Sequence, residues 1–116
     1  MWEKVGIFRD RDGLRQALAE IGRIQTEDAA RMAVPRTSHS NQWLTALQAQ
    51  NMLLTARIVT SAALFREESR GAHARRDFPK RDDSNWFCST LVVPRGGEVE
   101  MHKRPVIATI DREVPR

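Results

Sequence analysis

The side chains able to do chemistry in this sequence are few and scattered. The histidines are His39, His73 and His102, and the one cysteine is Cys88. None of them stands at metal-ligand spacing from another, so no zinc-type site is assigned. Cys88 alternates with Trp86 and Thr90 along an expected strand and reads as an inert, semi-buried thiol. A nucleophile would need a base that nothing in its sequence neighbourhood supplies. The carboxylate pairs Glu67-Glu68 and Asp82-Asp83 are sequence neighbours, which do not converge on one atom in a helix or strand. Gly96-Gly97 is followed by no helix and reads as a hairpin turn, not a dinucleotide fingerprint. Catalytic, cofactor-binding and metal-ligating residues are therefore all assigned as none.

Residues 66–83 stand apart. Arg66, Arg70, Arg75, Arg76, Lys80 and Arg81 are interleaved with Glu67, Glu68, Asp77, Asp82 and Asp83, and Phe78 and Trp86 add apolar anchors. Bidentate arginine–carboxylate pairs can fix such a loop. Two readings stand at this point: a solvated, self-paired loop, or a loop moulded against a second protein surface.

The elements that hold this segment read as helices. Asp10 or Asp12 supplies an N-cap, and Leu14, Leu18, Ile21, Gln25, Asp28 and Met32 follow at helical spacing, with Ala17 and Ile24 widening the stripe. This predicts a helix over 12–33, ended by Pro35. Ser38 or Ser40 caps a second long helix over 41–70, with Leu44, Leu47, Asn51, Leu54, Ile58, Ala62 and Phe65 as its stripe and Gly71 at its C-terminal cap. The short loop between the two favours an antiparallel pair. Residues 72–85 are expected as a charged loop, and 86–116 as short strands and a tail, with Trp86–Val93 and Glu98–Met101 flanking the turn and Val106-Ile107 as a third extended piece.

Size and charge narrow the function. The chain has 116 residues, enough for one domain over 1–116 and too few for a dinucleotide-binding domain plus a substrate domain. Net charge is +4 and the pI is about 10.2, but both signs are mixed along the chain, so no nucleic-acid partner is expected. The longest stretch free of Asp, Glu, Lys and Arg, 37–56, is laced with polar residues, so no direct membrane insertion is expected.

The sequence Glu68-Ser69-Arg70-Gly71-Ala72-His73, then Arg75-Arg76-Asp77-Phe78-Pro79, Arg81-Asp82-Asp83 and Asn85-Trp86, closely resembles the C-terminal region of the succinate dehydrogenase and fumarate reductase flavoprotein subunit. The likeness runs outward to Met1–Arg9 with Gly13-Leu14, to Asn41, Leu44, Leu47, Asn51-Met52-Leu53 and Ala62-Ala63-Leu64, and to Thr90-Leu91 and Arg104–Ile107. L-aspartate oxidase is a more distant relative with a similar Ser-Arg-Gly element.

The resemblance implies a mainly α fold: a spectrin-repeat-like helical bundle with two long antiparallel helices, a truncated first helix of which residues 1–9 are the remnant, and a short β-hairpin or extended C-terminal tail. It implies a domain that packs on the FAD domain of an oxidoreductase subunit and is not catalytic alone. FAD belongs to the parent enzyme and no cofactor to this chain. The implied partners are the FAD and capping domains of the same flavoprotein and an iron-sulfur subunit, in a cytoplasmic setting with membrane association through partner subunits. Arg70, His73, Arg75, Arg76, Asp77, Arg81, Asp82 and Trp86 are the candidates for interdomain contacts. Apolar surface left by the truncated helix is expected to be covered by self-association or by repacking of the Met1–Arg9 segment. The competing reading is a freestanding helical interaction or assembly module with the arginine-rich loop as its binding face.

Overall fold

The computed structural model describes residues 1–28, 42–96 and 98–106. The parts of the expected helices, caps and tail that fall on 29–41, 97 and 107–116, including Met32, Pro35, Ser38, Ser40 and Ile107, lie outside the described residues. The fold is mainly helical with two small sheets. In chain order it comprises α1 (Trp2–Val5), β1 (Phe8–Arg9), α2 (Arg11–Arg23), α3 (Gln42–Phe65), β2 (Ala74–Arg75), α4 (Asp83–Trp86), β3 (Cys88–Arg95) and β4 (Glu98–Pro105). A π-helical turn over Ile24–Asp28 extends α2.

Helix α2 starts where a cap is available. Asp10 is extended, and its Oδ1 accepts from Gly13 N at 2.8 Å, satisfying a first-turn donor. Leu14, Ala17 and Ile21 are buried along one face of the helix. Arg11 reaches Glu67, Leu14 shares a core cluster with Ala63, and Ile24 lines a groove with Ala49. Advancing along α2 thus means retreating along α3, and the two helices are antiparallel.

On α3 the face toward α2 is not the leucine stripe. Ala46, Thr60 and Ala63 are its buried residues, whereas Leu44, Leu47 and Leu54 are exposed. The small side chains let the two helix backbones approach. Apolar and polar side chains are mixed around the helix, so hydrophobic spacing could not single out the buried face. The buried Thr60 hydroxyl donates to Ala56 O at 2.7 Å, so burial leaves it satisfied.

Four segments differ from expectation. Residues 1–9 are one helical turn followed by an extended piece: β1 pairs in parallel with β2, Phe8 opposite Ala74 and Arg9 opposite Arg75. Helix α3 ends at Phe65 instead of running to 70, because residues 66–70 leave the helix to place Glu68 in a fully buried position. Trp86 closes the one-turn helix α4 and does not begin a strand. Asp82 Oδ1 accepts from Asn85 N and caps that turn. The hairpin β3–β4 pairs Cys88 with Pro105 through to Arg95 with Glu98, longer than expected on its second strand.

Gly71 is therefore not a helix cap. Arg70 and His73 exchange both backbone hydrogen bonds, at 2.9 and 3.0 Å, around a two-residue turn. Gly71 holds φ +56° at the first turn position, as the type II′ geometry requires. A Cβ there would meet nothing within 4 Å, so its cost is purely conformational. Gly71→Ala is expected to lower unfolding free energy by about 1–2 kcal/mol, read as a shift in denaturant midpoint at unchanged slope.

Candidate functional site: an arginine–carboxylate network at the end of the long helix

The chain beyond Phe65 carries the densest polar structure in the molecule. Arg75 sits opposite Arg9 on the two-residue sheet and is 1% exposed. Its Nη1 donates to Ala63 O at 2.9 Å, Leu64 O at 3.1 Å and Arg66 O at 3.0 Å. The first two are terminal carbonyls of α3, which have no partner within the helix, and the third belongs to the residue that follows it. The other side of the guanidinium forms a fork on Asp77, with Nε to Oδ1 at 2.8 Å and Nη2 to Oδ2 at 2.6 Å. Phe78 lies under the same group, 5.0 Å from its ring centroid. One side chain thus ends the helix and anchors the loop.

Glu68 is the second centre, and sequence reasoning missed it. Its side chain is fully buried, and both carboxylate oxygens are engaged. Oε1 accepts from Arg66 Nη1 and from Arg70 Nε, the latter at 2.8 Å. Oε2 accepts from Arg70 Nη2 at 3.1 Å and from the Asp82 backbone N–H at 3.0 Å. Burial alone would push this carboxyl up. The hydrogen bonds from Arg70, Asp82 N–H and Arg66 outweigh it and hold the carboxyl below its ordinary range.

A usable signal was the spacing of two in Arg66-x-Glu68-x-Arg70, repeated in Arg75-x-Asp77 and Arg81-x-Asp83. Residues two apart do not face each other on a helix but share a face of an extended chain. All of these pairs are made.

Arg66 ties the hairpin on. It donates to the backbone carbonyls of Trp86 and Cys88. Trp86, 6% exposed, has Phe65 edge-on at 5.5 Å, Arg66 at 5.4 Å and Lys103 Nζ 3.5 Å from its ring centroid. Ser69 Oγ donates to Phe78 O at 2.8 Å and accepts from Arg75 N at 2.8 Å, closing the loop from within.

His73 has a fixed tautomer. Arg9 Nη1 lies 3.2 Å from its Nδ1. A guanidinium can only donate, so Nδ1 accepts and the ring proton sits on Nε2, which donates to Arg66 O at 3.2 Å. Burial lowers the His73 pKa, and the nearby charges of Arg9, Arg75 and Arg66 lower it further.

The sequence-derived contact candidates thus divide. Arg75 and Trp86 are buried inside the domain, and Arg70 and Asp77 are held by Glu68 and Arg75. Asp82 is occupied as the α4 cap, with Asn85 Nδ2 also on its Oδ2 at 2.8 Å. Arg76 and Arg81 are exposed, Arg81 paired with Asp83 at 2.9 Å, and His73 is half-buried. The structure gathers these residues into one network whose bonds run within the domain. Among the described residues, no group of three or more His, Cys, Asp or Glu side chains is placed to hold a metal, and no helix is long and apolar enough to cross a membrane.

The described residues form a mainly helical domain sealed by this network. The profile of the family described as "Fumarate reductase flavoprotein C-term" matches residues 1–115. The chain belongs to that family, as the C-terminal domain of a fumarate reductase/succinate dehydrogenase-type flavoprotein subunit.

It is 39% identical over 102 residues to the fumarate reductase flavoprotein subunit of Helicobacter pylori, covering 87% of this chain and 14% of that protein. To the fumarate reductase flavoprotein subunit of Mycobacterium tuberculosis it is 42% identical over 88 residues, covering 75% of this chain and 15% of that one. Among solved structures it is similar to an E. coli quinol fumarate reductase, with a TM-score of 0.84 and 28% identity over 95% of this chain and 20% of that one. The chain thus spans a fifth or less of the length of these relatives.

Glu68→Gln keeps the shape but leaves Arg66 and Arg70 without their buried counter-charge. It is expected to cost roughly 3 kcal/mol of unfolding free energy, read by urea denaturation. The depressed His73 pKa gives a second test. The folded state favours the neutral ring, so this contribution is complete above the unfolded value near ~6.5. It is lost as pH falls below that value toward the lower folded pKa. Urea midpoints measured from pH 8 to pH 5 should fall in the parent chain and stay flatter in His73→Gln.

Proposed function

We propose that this chain is a docking domain of an FAD-dependent succinate- or fumarate-converting flavoprotein, redox-inactive by itself, whose role is to pack on the FAD-binding part of the same subunit. The observation that carries this reading is the surface of α3. It leaves Met52 72%, Trp43 57%, Leu54 48% and Leu47 46% exposed, Met52 on the groove side and the other three away from it. Several large apolar side chains left in water on one helix mark a surface that a partner covers. Trp2, 90% exposed, lies beside the groove between α2 and α3 lined by Ile21, Ile24, Met52 and Leu53. A further helix in that groove would complete a spectrin-repeat-like bundle, with 1–116 acting as one domain.

In this reading the arginine–carboxylate network sets the shape of the loop presented to the FAD and capping domains. The contacts are made by its outward members Arg70, His73, Arg76, Arg81 and Asp82, while Arg75, Asp77 and Trp86 hold them in place. FAD resides in the rest of the flavoprotein, an iron-sulfur subunit exchanges electrons with it, and association with a membrane runs through partner subunits.

Purified chain mixed with FAD, succinate and an artificial electron acceptor is expected to show neither turnover nor a bound-flavin spectrum, and either one overturns the accessory reading. Light scattering behind size-exclusion chromatography should show self-association at high concentration, reduced by Leu47→Gln with Met52→Gln. A strictly monomeric parent chain would count against an uncovered docking face.

A further inference from the structure

Arg9 differs from the ion-paired arginines around it. Arg11, Arg66, Arg70, Arg75 and Arg81 each have a carboxylate at ion-pair distance. Arg9 has none among the described residues. Its Nε donates to Gly6 O at 2.7 Å and its Nη1 to His73 Nδ1 at 3.2 Å, and both acceptors are neutral. Most of its N–H donors remain unengaged, and the residue is partly exposed, so they are reachable from solvent.

The surroundings add positive charge. Arg75, its register partner on β2, is neutralised by Asp77, and Arg66 by Glu68. Nothing neutralises Arg9, and burial together with Arg75 lowers its pKa. A partly desolvated guanidinium without a counter-charge is unfavourable, and relief comes from an anion. The guanidinium is also aimed. Gly6 O fixes Nε from the end of α1, and His73 Nδ1 fixes Nη1 from the turn after Gly71. His73 is in turn locked by its Nε2–H on Arg66 O. A planar fork held at two points presents its remaining edge in one orientation, the geometry that carboxylates take bidentately.

We propose that Arg9, oriented by His73, is a carboxylate-binding site. The ligand is an acidic side chain of an apposed protein surface or a free small carboxylate, both of which present the same two oxygens. The site stands on contacts within this chain and does not depend on the docking reading. A bound carboxylate neutralises Arg9 and removes its repulsion of the imidazolium, so occupancy and the titration of His73 are coupled.

The test is NMR of the parent chain at constant ionic strength, following the Arg9 Nε–H signal and the His73 ring during titration with acetate, succinate or a short capped peptide carrying a single glutamate, against chloride. Saturable shifts at Arg9 and His73 and a raised His73 pKa are expected with the carboxylates and not with chloride. Arg9→Gln should weaken the response roughly tenfold or more. Arg9→Lys, which keeps the charge without the fork, should weaken it less.

Tighter binding of the peptide than of acetate and succinate supports a protein side chain as the natural ligand, and tighter succinate supports a free small acid. An identical response to chloride, or one unchanged in a folded Arg9→Gln or Arg9→Lys chain, overturns the site.

Discussion

A long helix that stops in the middle of a protein must dispose of its last carbonyl groups, and here a single guanidinium does so. Arg75 takes the carbonyls of Ala63, Leu64 and Arg66 on one side and the Asp77 carboxylate on the other. The helix end, the turn of the chain after it and the position of the two-residue sheet all follow from that contact. Arg75 could not be buried without Asp77, and Asp77 could not be aimed without the extended backbone between them. The burial of Glu68 repeats the same logic with the signs reversed: one anion surrounded by two guanidinium groups and a backbone N–H. Isolated ions would be too costly at either position, and the fork geometry makes both acceptable.

The two halves of the domain are built on different physics. Between α2 and α3 the contact is apolar and made by small residues, with Leu14 and Ala63 at its centre. Around residues 66–88 it is polar and directional. Apolar packing tolerates sliding, whereas a network in which Glu68 accepts from four donors does not. The polar half therefore sets the register of the apolar half, through Arg75 on the last turn of α3 and Arg11 reaching from α2 to Glu67.

Sequence reading reached the helices through their periodicity and the Asp10 cap through its chemistry, and it found the charged segment by its composition. It failed on α3, where Ala63 with Leu53 and Leu64, and not the expected Leu44–Leu47–Leu54 stripe, faces α2. A helix whose apolar residues are spread around its circumference carries no phase in its pattern. It also carried the helix through Arg66, Glu67 and Glu68, all good helix formers. Tertiary burial of Glu68 overrode that local preference. Trp86 read as the start of a strand because Trp86, Cys88 and Thr90 alternate, although Asp82 followed by Asp83-Ser84-Asn85 is a capped turn in its own right. Buried charge is the least legible feature in a sequence, since a carboxylate is exposed by default and only its partners' geometry says otherwise.

The bonds that build the polar half enclose 22 positions or fewer: Arg66 to Glu68, Trp86 and Cys88, Glu68 to Asp82, Ser69 to Phe78, Arg75 to Asp77. The pairing of β1 with β2 is of the opposite kind, since Arg9 and Arg75 are brought together from distant parts of the chain. Loop-closure entropy grows with the length of chain enclosed. Closing the loop around Glu68 therefore costs less chain entropy than bringing the N-terminal strand to β2. The sequence separation of the contacts thus makes the arginine–carboxylate knot the less costly closure and the Phe8–Arg9 strand the more costly one.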